Sequence, residues 1–166
     1  MPRFYNLSAA RSPEQLEDML RLEAAGVCLF CPGGLGQEIV HRTGHWTVTP
    51  NKYPYAHTRH HLLLVPDQHV TDMIDLTPEA QADFWPVLAW VKKNYDLTSY
   101  GVAARSGDGR FTGSTIQHLH FHVLTGDVDD PGYQPVRVKL SSRHDEAEEA
   151  RLRARVHPDQ LDAGLA

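Results

Sequence analysis

The amino-acid sequence predicts an α+β domain with a mostly antiparallel sheet of about five strands flanked by helices. Three observations carry that expectation. Two segments have capped helical patterns. Several short apolar or alternating segments read as strands. Tight turns rich in Gly and Pro join them. The chain has 166 residues, which fits one domain that can bury a core without disulfides. We expect that domain over 1–142, followed by a charged C-terminal helix and tail over 143–166.

In the first helix Ser12 caps, Pro13 takes the first position, and Gln15 completes a capping box. Leu16, Met19 and Leu20 form the apolar face, and Gly26 is the stop. CLFCPGG then reads as a turn-rich knuckle. Residues 38–50, EIVHRTGHWTVTP, read as two strands joined at Gly44, and residues 61–66, HLLLVP, as a buried strand. Thr77-Pro78-Glu79 opens the second helix, with Phe84, Leu88, Val91 and Tyr95 on one face. Pro86 lies inside that pattern and predicts a kink or break. YGVAARS at 100–106 is a further strand, 107–114 a glycine-rich loop, and 115–125 another strand. PVRVKL at 135–140 alternates and reads as an edge or flanking strand. DEAEEARLRAR reads as a solvated helix, with Glu149 and Arg153 at the favourable i,i+4 spacing.

Composition narrows the function. The net charge is −5 and the pI about 6.1, with no run of Lys or Arg. That argues against a duplex nucleic-acid surface. No apolar stretch approaches the roughly 20 residues of a membrane span. The opening MPRFYNLSAARSP lacks an apolar signal-peptide core. A cytoplasmic protein is expected, so Cys28 and Cys31 are not expected to form a structural disulfide.

The most informative stretch is QHLHFHV, 117–123. Side chains alternate faces along a strand. His118, His120 and His122 therefore share one face, about 7 Å apart along the chain. Leu119, Phe121 and Val123 point the other way, toward the core. Neutral imidazoles are nucleophiles and metal ligands, so a row of three on a strand points to a site. A cupin-like metal set would need a glutamate a few residues on, where the chain has Thr125, Gly126 and Asp127.

GSTIQHLHFHVL resembles the signature of the histidine triad, or HIT, superfamily: His118-Leu119-His120-Phe121-His122-Val123-Leu124 matches each position of His-φ-His-φ-His-φ-φ. NKYPYAHTRHHLLLVPDQH, 51–69, is similar to the family's upstream block of Asn-x-x-Pro, His, apolar strand, Pro and His. The resemblance spans residues 28–125. It implies a HIT-like fold and a homodimer. It also implies a nucleotide substrate, cleaved at the α-phosphate of a nucleoside 5′-phosphoanhydride or phosphoramidate, such as a dinucleoside polyphosphate. His120 would attack and be nucleotidylated. His122 would contact the phosphate or steady the nucleophile, and His61, or its neighbour His60, would join the network. Nucleotide-transferring relatives such as galactose-1-phosphate uridylyltransferase have Gln where this chain has His122, so hydrolysis is the expected outcome. Transfer or phosphorolysis through the same intermediate, and a nucleotide-binding module with little turnover, stand as alternatives.

The same resemblance places Ser114 and Thr115 as donors to the phosphate or leaving group, and Asn51 at the ribose. Arg105 lies near a phosphate-contacting position, with an ordinary surface charge as the competing reading. Trp46 and Tyr53 are candidates to wall a base pocket, and core packing is preferred for Trp46. Cys28-x-x-Cys31 has the spacing of half a zinc site. Relatives close such a site with the two histidines that correspond to His69 and His118, which implies a structural zinc. No organic cofactor is expected.

Overall fold

The computed structural model describes residues 3–34 and 38–156. The predicted tail beyond 156 therefore lies outside the described residues. Helix α1, Pro13–Ala24, starts where Ser12 Oγ accepts from the Gln15 N–H, and Gly26 follows its end at φ 65°. That left-handed conformation is open to Gly without strain. Strands β1 (His41–Arg42), β2 (Trp46–Pro50), β3 (Thr58–Pro66), β4 (Gly101–Ala104) and β5 (Phe121–Gly126) form one antiparallel sheet in the order β1-β2-β3-β5-β4. The expected α+β architecture is thus present. No helix among the described residues is long and apolar enough to cross a membrane.

Both faces of the central strands are covered. Leu62, Leu64, Leu119 and Val123 pack with Trp46, Val87, Leu88 and Val91 in the main core. This is the apolar face of helix α2, Pro78–Asn94, capped by the Thr77 hydroxyl. Trp46 is fully buried and donates from Nε1 to the Ala80 carbonyl at 2.8 Å. It is a core residue, not a pocket wall. On the opposite face Leu63 and Val65 meet Cys28 and Phe30 of the knuckle. In the β3–β5 register Leu63 faces His122 and His61 faces Leu124. The functional histidines and the knuckle therefore lie on one side, and α2 on the other.

The structure departs from the sequence reading in four places. First, α2 runs unbroken through Pro86. Pro86 and Ala82, the residue whose carbonyl loses its donor, are both exposed, so water can serve that carbonyl. Second, regular strand begins only at Phe121. Upstream, the Gln117 N–H donates to the Phe4 carbonyl at 2.7 Å, the Leu119 N–H to Val70 at 2.7 Å, and the Thr115 carbonyl accepts from Asn6 at 3.0 Å. These residues are tied to the N-terminal segment and the post-β3 loop instead of to the sheet. The glycine-rich loop before them contains a one-turn helix α3, Gly109–Thr112.

Third, residues 135–140 pair with no strand among the described residues. Their alternation yields only half-buried Val136 and Val138. Fourth, the charged C-terminal segment is more than a solvated helix. Helix α4, Glu146–Arg153, buries Glu149 and Leu152. Leu152 joins Tyr5, Leu7, Met19, Leu20 and Leu22 in a second cluster. Arg153 bridges Glu23 and Glu149 and donates to the Tyr5 carbonyl at 2.6 Å. Apolar burial plus a paired, buried charge anchors α4 where charge patterning alone left it in solvent.

Because Pro86 is exposed in a regular helix, Pro86→Ala restores one backbone hydrogen bond and removes the ring from the helix interior. The expected result is a stabilisation of about 1–3 kcal/mol, read as a higher urea midpoint. A lower midpoint would show that the ring packs favourably.

Candidate active site

The segment 118–122 splits its three histidines between two clusters. His118 Nε2 lies 2.8 Å from the Pro66 carbonyl. A carbonyl only accepts, so Nε2 carries the proton and Nδ1 is left with a lone pair. That nitrogen faces Cys28 Sγ at 3.5 Å and Cys31 Sγ at 3.8 Å. His69 Nδ1 is 3.2 Å from Cys31 Sγ. The four ligand atoms of Cys28, Cys31, His69 and His118 all lie within 4.8 Å of one another, a possible metal site. Gly34 permits the knuckle to fold this tightly, since a Cβ there would sit 2.1 Å from the Leu29 carbonyl oxygen. Burial pushes the Cys28 thiol up to about 12, so without a cation it holds its proton.

His120 is held by a different partner. Its Nδ1 lies 2.7 Å from the carbonyl of His118, and by the same argument Nδ1 is protonated and Nε2 is free. Phe30 packs against the ring at 5.0 Å between centroids. Burial holds the His120 pKa down at about 4, so the ring is neutral at neutral pH and its Nε2 lone pair is available for nucleophilic chemistry.

A relay runs behind it. The Tyr55 backbone N–H donates to His61 Nδ1 at 3.0 Å, so neutral His61 is protonated on Nε2. That nitrogen lies 2.8 Å from His122 Nδ1, which must accept, leaving the His122 proton on Nε2. Arg105 Nη1 approaches His122 Nε2 at 3.2 Å. An arginine never accepts. Two donors therefore point into one space, and an oxyanion placed there would satisfy both. His60, the neighbouring alternative, packs on Tyr95 instead.

Arg105 is held in place by two further bonds, from Nη2 to the Tyr55 hydroxyl at 2.8 Å and from Nε to the Lys139 carbonyl at 2.6 Å. The Tyr55 ring is stacked on His122 (centroids 5.5 Å apart, planes 23° apart). Arg11 lies over the Tyr55 ring at 4.6 Å. Burial is the main cause of the lowered His61 and His122 pKa values. The Arg11 and Arg105 charges push both down further, and His61 reaches about 3.

The other sequence candidates are placed as follows. Asn51 Oδ1 accepts from the Tyr53 N–H, and its Nδ2 lies 3.0 Å from His61 Nε2. The Ser114 hydroxyl donates to the Ile116 carbonyl, and Thr115 is tied to Asn6 through its backbone. Tyr53 turns outward to bond Asp18. Sequence reasoning missed Tyr55 and Arg11. Tyr55 lies inside the quoted Asn51 block, where its aromatic type was a usable signal. Arg11 comes one residue before a helix cap and gave none.

His61 is depressed to about 3 in the fold from 6.5, so below pH 6.5 the unfolded chain binds the extra proton and the native state does not. Stability is complete above that pH and falls as pH drops toward about 3. Between pH 7.5 and pH 5 His61 alone accounts for about 1–2 kcal/mol. Urea midpoints at the two pH values should show the loss, and His61→Gln should shrink it. An undiminished difference in that variant would assign the effect to other groups.

Comparisons with known proteins agree with this geometry. The HIT domain family matches residues 35–129, just over half of the chain. The nitrilase and fragile histidine triad fusion protein NitFhit of Caenorhabditis elegans is 32% identical over 120 residues, 70% of this chain and 26% of that protein. Adenosine 5′-monophosphoramidase hnt1 of Schizosaccharomyces pombe is 30% identical over 72 residues, 43% of this chain and 53% of that one. A HIT-like protein of Helicobacter pylori is 31% identical over 67 residues, 40% of this chain and 64% of that one. The chain thus spans less than two thirds of the length of each of these relatives. Among solved structures, the histidine triad nucleotide-binding protein of Candida albicans superposes with a TM-score of 0.55 at 18% identity, covering 80% of this chain and 96% of that one. A Leishmania major protein gives 0.54 at 22%, covering 76% and 91%. With five antiparallel strands, the paired histidine clusters and the family match over its centre, the chain belongs to the HIT family.

Proposed function

We propose that the protein is a nucleotide hydrolase that cleaves the α-phosphate bond of a nucleoside 5′-phosphoanhydride or phosphoramidate through a nucleotidylated histidine. The observation that carries this reading is the 2.7 Å contact between His120 Nδ1 and the His118 carbonyl. It leaves Nε2 free beside the paired donors of His122 and Arg105. Nε2 attacks the α-phosphorus, the N–P bond forms, and the bond to the leaving group breaks, with the electron pair going to that group. The ring then carries positive charge, which the His118 carbonyl dipole stabilises through the Nδ1–H. His122 Nε2–H and Arg105 stabilise charge on the phosphoryl oxygens. His61 keeps His122 in the donating tautomer. Water attacks the phosphorus, cleaves the N–P bond and releases a nucleoside monophosphate. Ser114, Thr115 and Asn51 complete the reading at the leaving group and ribose. The printed activity of the Schizosaccharomyces pombe relative, an adenosine 5′-monophosphoramidase, supports the same bond class.

We assign a structural zinc to Cys28, Cys31, His69 and His118. Bonds of about 2.3 Å to sulfur and about 2.0–2.1 Å to nitrogen put tetrahedral S···N edges near roughly 3.6 Å. The S···N contacts of 3.2, 3.5 and 3.8 Å fit that. The set leaves no position for water, so the ion would serve the fold by holding the knuckle against His118, and both thiols would bind deprotonated.

Product analysis tests the reaction. Incubation with a panel of nucleoside 5′-phosphate derivatives should release monophosphate, and His120→Ala should lower the rate by at least about 10³-fold. No release by the wild type, even with phosphate or a sugar phosphate as acceptor, would leave a nucleotide-binding module in place of an enzyme. Metal analysis tests the second assignment. About one zinc per chain is expected in the wild type and in His120→Ala, and a large loss in Cys28→Ser. Equal zinc in wild type and Cys28→Ser would overturn the ligand set.

A further inference from the structure

Tyr55 meets four of the groups around the proposed nucleophile, through three separate parts of the residue. Its backbone N–H donates to His61 Nδ1 at 3.0 Å. Its ring packs on His61 and His122, with centroids 4.6 and 5.5 Å away, and Arg11 lies over the same ring. Its hydroxyl lies 2.8 Å from Arg105 Nη2. An arginine only donates, so the hydroxyl oxygen accepts. The residue is also fixed from behind. The Thr58 hydroxyl donates to the Tyr55 carbonyl at 2.7 Å. In the turn between them, the Asp127 N–H donates to the His57 carbonyl at 2.8 Å.

The chemical type of the partners of Arg105 matters as much as their positions. Its Nε and Nη2 donate to a backbone carbonyl and to a phenol hydroxyl. The ion pairs among the described residues do not include it. A carboxylate in place of the hydroxyl would also orient the guanidinium, but it would neutralise the charge. A hydroxyl orients it and leaves the charge for an anion. Nη1 then faces the same space as the His122 Nε2–H, 3.2 Å away. A long arginine side chain loses rotamer freedom when it is held. Two existing bonds meet that cost before an anion arrives. One rigid ring also spans His122 and Arg105, so it sets their separation.

We infer that Tyr55 is the positioning residue of the oxyanion site: its hydroxyl holds Arg105 beside the His122 Nε2–H, where both donors meet one phosphoryl oxygen. The inference rests on the nucleotidyl-hydrolase reading above. The parts of Tyr55 divide the work. The hydroxyl acts on Arg105. The ring and the backbone N–H act on the histidines, and both remain in Tyr55→Phe. That substitution therefore separates anion binding from the histidine relay, which no substitution of a histidine does.

The test is a double-mutant cycle of the wild type, Tyr55→Phe, Arg105→Gln and the combined variant. The substrate is the best of the nucleoside 5′-phosphate panel, together with its two α-phosphorothioate diastereomers. Tyr55→Phe should lower kcat/KM by about tenfold or more, as for a lost bond to a charged group. In the Arg105→Gln background the same change should cost less than about twofold. Sulfur replaces one non-bridging oxygen, so a donor aimed at one oxygen separates the diastereomers. Both single variants should shift the wild-type ratio of the two rates toward one, which a general loosening of the fold would not do. Additive losses with an unchanged ratio, or Tyr55→Phe kinetics equal to the wild type, would overturn the positioning role and leave the hydrolase reading intact. Calorimetric titration with a nucleoside 5′-monophosphate runs the same cycle without turnover. Tyr55→Phe should weaken binding about tenfold when Arg105 is present and leave it unchanged in Arg105→Gln. If the wild type cleaves nothing, the hydrolase reading fails and the titration alone decides the role of Tyr55. Coupled losses support it, and additive or absent losses overturn it.

Discussion

The site depends on one backbone carbonyl. His118 O accepts the Nδ1 proton of His120 and so decides which nitrogen of that ring is free, the one the proposed reaction uses. That carbonyl is itself immobilised, because the His118 ring is wedged between the Pro66 carbonyl and the cysteine pair, and the next N–H, of Leu119, is tied to Val70. The histidine of the possible metal site and the proposed nucleophile are thus two residues apart on a stretch that is neither helix nor sheet. The same short segment serves both clusters because it lies outside the regular ladder. His118 meets the cysteine pair, while His120 lies in ring contact with His122, and His122 with His61.

Neutrality is the second constraint. Three histidines lie in ring contact here, with His122 between His61 and His120. Were they protonated, they would repel one another and lose the His61–His122 hydrogen bond. Burial is the largest cause that keeps them uncharged, and two arginines add to it. Both arginines contact Tyr55, and their positive potential adds to burial in keeping the imidazoles in the neutral form.

Much of this was legible in the sequence because it rests on local rules. Ser12-Pro13 and Thr77-Pro78 begin helices through their own side chains. Leu119 and Val123 reach the core through the two-residue period. The four residues Cys28, Cys31, His69 and His118 could be grouped because spacing and resemblance agreed, and their atoms do converge. What was not legible comes from long-range partners. Residues 115–119 leave the sheet because Phe4, Asn6 and Val70 claim their backbone groups. Helix α4 is docked because Glu23, far away in the chain, shares Arg153 with it. Arg11 reaches Tyr55 across a turn that no periodicity describes.

The amino-acid sequence by itself determined the class of fold, the helix starts, the apolar face of the histidine segment and the residue types available for chemistry. Each follows from dihedral preference, capping or periodicity within a few neighbouring residues. Only the tertiary structure decided which nitrogen of each histidine carries its proton, that Arg105 rather than solvent faces His122, and that residues 135–140 stay outside the sheet. A tautomer is set by whichever donor or acceptor the fold brings to each ring nitrogen. For His120 that partner is the neighbouring His118 carbonyl, but for His118 it is Pro66 and for His122 it is His61, 52 and 61 residues away, so local sequence does not encode the set.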